Sequence, residues 1–280
     1  MAKEDMWGKL GRIDPRILYV LLVIILIIPL IAPIGLPIPI TSETRKIYDA
    51  VEKLPPGSVV VCAMDTSGAA WGENGPQAKA ILRHLFQKPL KIVVVSFEAD
   101  GPMLGQRALL EVPKGEKKYG VDYVNLGFVA GGETGRAAFG RDVQKLISKD
   151  FLGNPLEKLP IMEKVRNAED FALFFTFTSL ISAVEMYVRQ LYAPYKTKVV
   201  AGIIGLGVPA VVPYYNAGQL FSILSGSLGA GEYELLSKMP GEGVRLSDAL
   251  SLSTLLVVVL IVVGNAAFFG DKLRGKEEKR

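Results

Sequence analysis

Two long apolar runs without a charged residue, one near each end, limit the architectures open to this chain. No Asp, Glu, Lys or Arg occurs in 17–42 or in 249–270, and the centres read ILYVLLVIILII (17–28) and LLVVVLIVV (255–263). About 20 helical residues cross a hydrocarbon layer ~30 Å thick. A helix facing water needs a polar stripe, and neither run has one. The runs therefore predict two terminal transmembrane helices. Pro29, Pro33, Pro37 and Pro39 crowd the exit of the first. Proline removes a helical hydrogen bond and biases its predecessor toward extended backbone, so the helix is expected to end near Pro33 and continue as an extended strap. The run is long for a signal-peptide core and no clear small-x-small cleavage site follows, which favours an anchor.

The flanks set an expected orientation. Lys3, Lys9, Arg12 and Arg16 precede the first run, and Lys272, Arg274, Lys276, Lys279 and Arg280 follow the second. Arg45, Lys46, Lys53, Lys238 and Arg245 lie on the inner sides. The positive-inside bias places both termini in the cytoplasm and the intervening domain outside the cell membrane. The expected plan is a tail (1–16), a helix with a proline-rich exit (17–40), an extracytoplasmic α/β domain (41–248), a second helix (249–270) and a basic tail (271–280). The tails carry three of the net four positive charges. The domain is close to neutral and gives no basic stripe for nucleic acid. The lipid bilayer is the expected partner, together with further copies of the chain or other subunits of a membrane complex.

Between the runs, short β-rich segments alternate with helical pattern. SVVVCAM (58–64), KIVVVSF (91–97), DYVNL (122–126), FALFFTF (171–177) and KVVAGII (198–204) are apolar without alternation, as in strands buried on both faces of a parallel sheet. Helices are predicted over 76–87, 104–112 and 179–192. The fold expected is α/β, a mainly parallel, Rossmann-like sheet of about five strands flanked by the two terminal transmembrane helices. The stretch 214–238 reads as a helix interrupted by SGSLGAG (225–231).

Chemistry is sparse. One cysteine excludes an intramolecular disulfide and a multi-cysteine zinc site, and one histidine removes the usual parts of triad and metal-hydrolase centres. Cys62 lies among valines and reads as a buried small side chain. His84 falls off the apolar stripe of its helix and reads as a surface residue. GFVAGGET (127–134) follows a strand and matches the phosphate-loop pattern except that Glu133 stands where the lysine belongs, and a carboxylate there repels phosphate. No cofactor is expected. In open α/β sheets ligands bind outside the carboxyl ends of the strands, which makes Asp65, Ser67, Glu98, Glu133 and Arg136 the candidate ligand-binding residues. Gly226, Gly229 and Ala230, small residues that permit close helix approach, are the candidate interface.

PPGSVV (55–60), YGVDYVNLG (119–127) and GGETGR (131–136) within this frame resemble a family of prokaryotic two-pass membrane proteins with an α/β domain between the spans. The resemblance implies that architecture and no catalytic residue. Tethering at both ends and the absence of a complete catalytic constellation lead to the expectation of a non-enzymatic scaffolding subunit of a membrane-anchored oligomer. The alternative is a ligand-binding or hydrolytic domain with its site at the strand ends.

Overall fold

The computed structural model describes residues 14–277, with side chains through Phe269. Lys3, Lys9, Arg12, Lys279 and Arg280 of the basic tails lie outside the described residues. Residues 38–244 form one compact unit, and the segments before and after them form another.

The larger unit is a six-stranded sheet, β1 (Val59–Asp65), β2 (Lys91–Ser96), β3 (Tyr123–Phe128), β4 (Phe171–Thr178), β5 (Val199–Ile203) and β6 (Ser222–Ser225), in the order 3-2-1-4-5-6. Every neighbouring pair is parallel, with β1 meeting β2 at Ala63–Val95 and β4 at Asp65–Thr178. The five segments expected from the sequence are all strands within two residues of the boundaries read. The sheet has six strands rather than five and is wholly rather than mainly parallel. The added strand lies inside 214–238. That stretch is therefore not one interrupted helix but α8 (Val208–Asn216), β6 and α9 (Gly226–Leu236). Ser222 and Ser225 bound only two apolar residues, too short a run to stand out from the flanking helical pattern.

Period-two alternation along the strands builds two cores. Val59, Val61 and Ala63 of β1 point to one face, where Phe139 of α5 (Gly132–Arg141), Val184 and Tyr187 of α7 (Ile181–Tyr187) and Val211 of α8 cover them. Val60, Cys62 and Met64 point to the other. That face is covered by α2 (Ser42–Glu52), α3 (Trp71–Phe86), α4 (Gly101–Glu111) and α9 through Ile47, Ile81, Ala108 and Tyr233. Cys62 is fully buried, and burial drives its thiol far above the ordinary range. The one-turn helix α6 (Val143–Leu146) and three short 3-10 turns carry the chain from α5 back to β4.

Helix α3 begins five residues before the predicted start. The early turn places Asn74 and Gln77, both fully buried, under the carboxyl edge of the sheet. Asn74 Nδ2 donates to the carbonyls of Thr178 and Gly202, and Gln77 Nε2 to those of Ile203 and Gly226. These carbonyls lie at or next to the ends of β4 and β5 and at the first residue of α9, and an unpaired buried carbonyl is costly. His84 is 2% exposed, not a surface residue, because α9 and α2 close over its side of α3. Its ring bonds Tyr233 Oη at 2.8 Å and Glu52 Oε1 at 2.7 Å. Burial lowers its pKa, against the opposing pull of Glu52.

In the smaller unit, α1 (Pro15–Ile31) is a 17-residue apolar helix that ends as expected before Pro33. At 1.5 Å per residue it is about 26 Å long, short of a ~30 Å hydrocarbon layer. The last helix, α10 (Glu242–Glu277), contains the stretch Glu242–Phe269, long and apolar enough to cross a membrane. Among the described residues only this helix meets that test, so the two terminal transmembrane helices expected from the sequence reduce to one. The prolines that end α1 are the cause. Both helices expose apolar side chains, from Ile17 to Ile31 and from Leu255 to Phe269. Past α1, the backbone N–H groups of Ile34, Gly35 and Leu36 all donate to the carboxylate of buried Asp248, at 2.8–2.9 Å.

Candidate functional site

Strand order reverses between β1 and β4: from β1 the chain first adds strands on one side, then returns to add β4 on the other. Loops leaving these two strands turn to opposite faces and leave a crevice at the carboxyl edge. Its walls carry Asp65, Thr66 and Ser67 after β1, Glu98 and Asp100 after β2, and Ser179 after β4, around a volume of about 240 Å³.

Asp65 organises the floor. It is the last residue of β1 and is fully buried. Its Oδ1 accepts the Phe97 N–H at 2.8 Å, and its Oδ2 accepts Arg136 Nη2 at 2.9 Å and Tyr187 Oη at 2.5 Å. One carboxylate thereby joins β1, the end of β2, α5 and α7. Burial and the Asp65 charge push the Tyr187 hydroxyl well above the ordinary phenol range, which keeps it a donor. The Arg136 guanidinium lies 4.8 Å from the Phe97 ring centre and 5.0 Å from that of Tyr187. Two aromatic faces so lower the cost of burying the cation. Arg136 Nε alone has no hydrogen-bond acceptor among the described residues.

The rim is built by turns that bring backbone close. Ser96 Oγ donates to the Met64 carbonyl at 2.7 Å and accepts the Glu98 N–H at 3.0 Å. Asp100 Oδ2 accepts the Gly68 N–H at 3.2 Å and ties the β1 and β2 loops together. Gly101 opens α4 where a Cβ would stand 1.9 Å from the Met64 carbonyl oxygen, so no other residue fits.

Of the five candidate residues, the structure brings four together. Asp65, Ser67 and Glu98 line the crevice, and Arg136 lies behind it against Asp65, with Glu98 Oε1 at 3.8 Å. Glu133 stands apart. It is bonded by Arg189 at 2.7 and 3.0 Å and by Gln190 at 2.9 Å, which hold its carboxyl down to about 2. The glycine-rich loop makes the left-handed turn into α5, with Gly131 at φ 101°, and points Glu133 at these partners. Arg189 and Gln190 reach it from a π-helical turn, Val188–Tyr192, in which the Ala193 N–H bonds the Val188 carbonyl. Pro194 follows, and its missing N–H leaves the Gln190 carbonyl without the usual helical donor.

Sequence reasoning did not single out Tyr187 or Ser179. Tyr187 falls on the apolar stripe of its helix and looks like core; only the acid at the end of β1 signals that a buried hydroxyl is needed. Gly226, Gly229 and Ala230 are buried within the chain. A Cβ at Gly226 would meet Glu73 Oε2 at 2.8 Å, one at Gly229 the Leu224 backbone at 3.2 Å, and Ala230 packs where Gly243 passes.

The fold and the crevice define a Rossmann-ordered, wholly parallel α/β domain with a small acidic and hydroxyl-rich site at its switch point. No family model, curated protein or solved structure matches the chain.

Glu98 is the least committed carboxylate in the crevice. Partial burial raises its pKa, with the Asp65 charge adding to the rise and Arg136 opposing it. The folded state thus holds a proton that the unfolded state releases above the ordinary value of 4.5. The Glu98 contribution to stability is complete below that value and is lost as pH rises through the raised folded pKa. Glu98→Gln is expected to raise the urea midpoint at neutral pH and to leave it unchanged below the ordinary carboxylate range; an equal shift at both pH values would contradict this.

Proposed function

We propose that this chain is a membrane-anchored α/β domain that binds a small hydroxyl- or amine-bearing solute in the switch-point crevice. One observation carries the reading: Asp65, Ser67, Glu98 and Asp100 converge there with Thr66 and Ser179. The lining has no cation, since Arg136 is turned onto Asp65. Such a surface accepts hydrogen bonds from alcohols or ammonium groups and disfavours anions. The volume is below the 300–1,000 Å³ of drug-sized sites and suits a ligand no larger than a monosaccharide or a small amine. Ser67 and Ser179 have no histidine beside them, since His84 bonds Tyr233 and Glu52, and the crevice is read as a binding site.

This reading is preferred to a scaffolding subunit because the small residues that motivated assembly are occupied inside the chain, whereas the strand-end groups meet. The anchor is α10. With Lys272, Arg274, Lys276, Lys279 and Arg280 at its far end, the positive-inside bias keeps that end in the cytoplasm and the domain outside.

Two experiments follow. The chain should stay in the membrane pellet after alkaline carbonate and need detergent for release; release by carbonate alone would remove the anchor. In detergent, thermal melting with a panel of monosaccharides and small primary amines should find a stabilising ligand. Both Glu98→Gln and Ser67→Ala should weaken it about tenfold, the equivalent of ~1.4 kcal/mol. A panel without effect, or one whose effect survives both substitutions, would contradict the crevice as a binding site.

A further inference from the structure

The opposite edge of the sheet carries a larger groove of different chemistry. Helix α2 buries Thr44, Ile47 and Val51 in the core, and Arg45, Lys46 and Asp49, with Lys53 just past its end, line a groove of about 580 Å³. The facing wall is the amino edge of β4–β6, with Leu173, Lys198 and Phe221. Four cations against one carboxylate leave a strong positive excess. None of the four takes part in an ion pair among the described residues. Phe221 lies between two of them: Lys46 Nζ is 4.7 Å and Lys198 Nζ 5.7 Å from its ring centre. Lys46 Nζ is also 5.2 Å from the Tyr215 ring centre. The quadrupoles of these rings offset part of the repulsion between the two ammonium groups.

We propose that this groove is a second binding site, for a phosphate monoester with an apolar body. The doubly charged phosphate matches the cationic rim, where charge-assisted hydrogen bonds are the strong ones. The volume exceeds what phosphate alone fills, and the floor of Leu173, Leu54 and Phe221 offers apolar surface to the remainder. A lipid phosphate headgroup and a soluble aryl or alkyl phosphate share this chemistry. The site lies at the sheet edge away from the crevice, so it stands or falls independently of the crevice ligand.

The test uses the full chain in zwitterionic nanodiscs at low salt, titrated calorimetrically with phenyl phosphate, with dihexanoyl phosphatidic acid below its micellar concentration, and with inorganic phosphate. Saturable binding of either ester, tighter than inorganic phosphate, is expected; a tighter phenyl phosphate identifies a soluble ligand and a tighter phosphatidic acid a lipid. Lys46→Gln with Lys198→Gln should weaken binding at least about tenfold with an unchanged melting midpoint, and Arg45→Gln with Lys53→Gln should act in the same direction. No saturable binding, no preference over inorganic phosphate, or affinity unchanged in both double variants would overturn the proposal.

Discussion

A single buried carboxylate holds the carboxyl edge of this sheet together. Asp65 ends the central strand and accepts from the backbone of β2, from a guanidinium on α5 and from a phenol on α7. These groups come from segments far apart in the chain and from elements on the face where α5 and α7 pack. A charge with no exposed surface is tolerated only when it is paired and hydrogen-bonded, and here all the donors needed are supplied by the elements that frame the crevice. The crevice floor thus exists because the pairing that makes Asp65 tolerable also brings these elements to one place.

The same edge shows how a wholly parallel sheet disposes of its last carbonyls. Asn74 and Gln77 on α3 take three carbonyls from β4 and β5 and a fourth from Gly226 at the start of α9, and Thr66 Oγ1 donates to Asn74 Oδ1 at 2.8 Å. This polar layer lies at the carboxyl edge and reaches the crevice through Thr66. The amino edge is arranged differently: β4–β6 begin against α2, and Arg45 and Lys46 of that helix join Lys53 and Lys198 around a groove with a positive excess.

Much of this was legible in the residues. Valine-rich runs without alternation marked five strands because burial on both faces demands apolar residues at every position. The acids and hydroxyls following β1 and β2 marked the crevice, since strand order places those ends side by side. What was hidden had physical causes. β6 is too short to show a period. His84 is covered by α9 and α2, contacts that a single helix's pattern cannot show. Glu133 sits in the right loop, but the turn at Gly131 and the π turn carrying Arg189 draw it away. Tyr187 looks like core because its ring is core; only its hydroxyl serves the site. Pro33 was read correctly as the end of α1, and its consequence for the length of that helix is what leaves one membrane-spanning candidate.

The organising role of Asp65 is tested most directly by a double-mutant cycle on Asp65→Asn and Arg136→Met, with stability measured by urea unfolding at neutral pH. Each single variant strands one buried charge and should cost ~3–5 kcal/mol. The double variant should recover at least about 2 kcal/mol of the summed loss, within the range found for directly contacting residues. Costs that simply add would show that the two side chains act separately and would contradict the account of how the crevice is built.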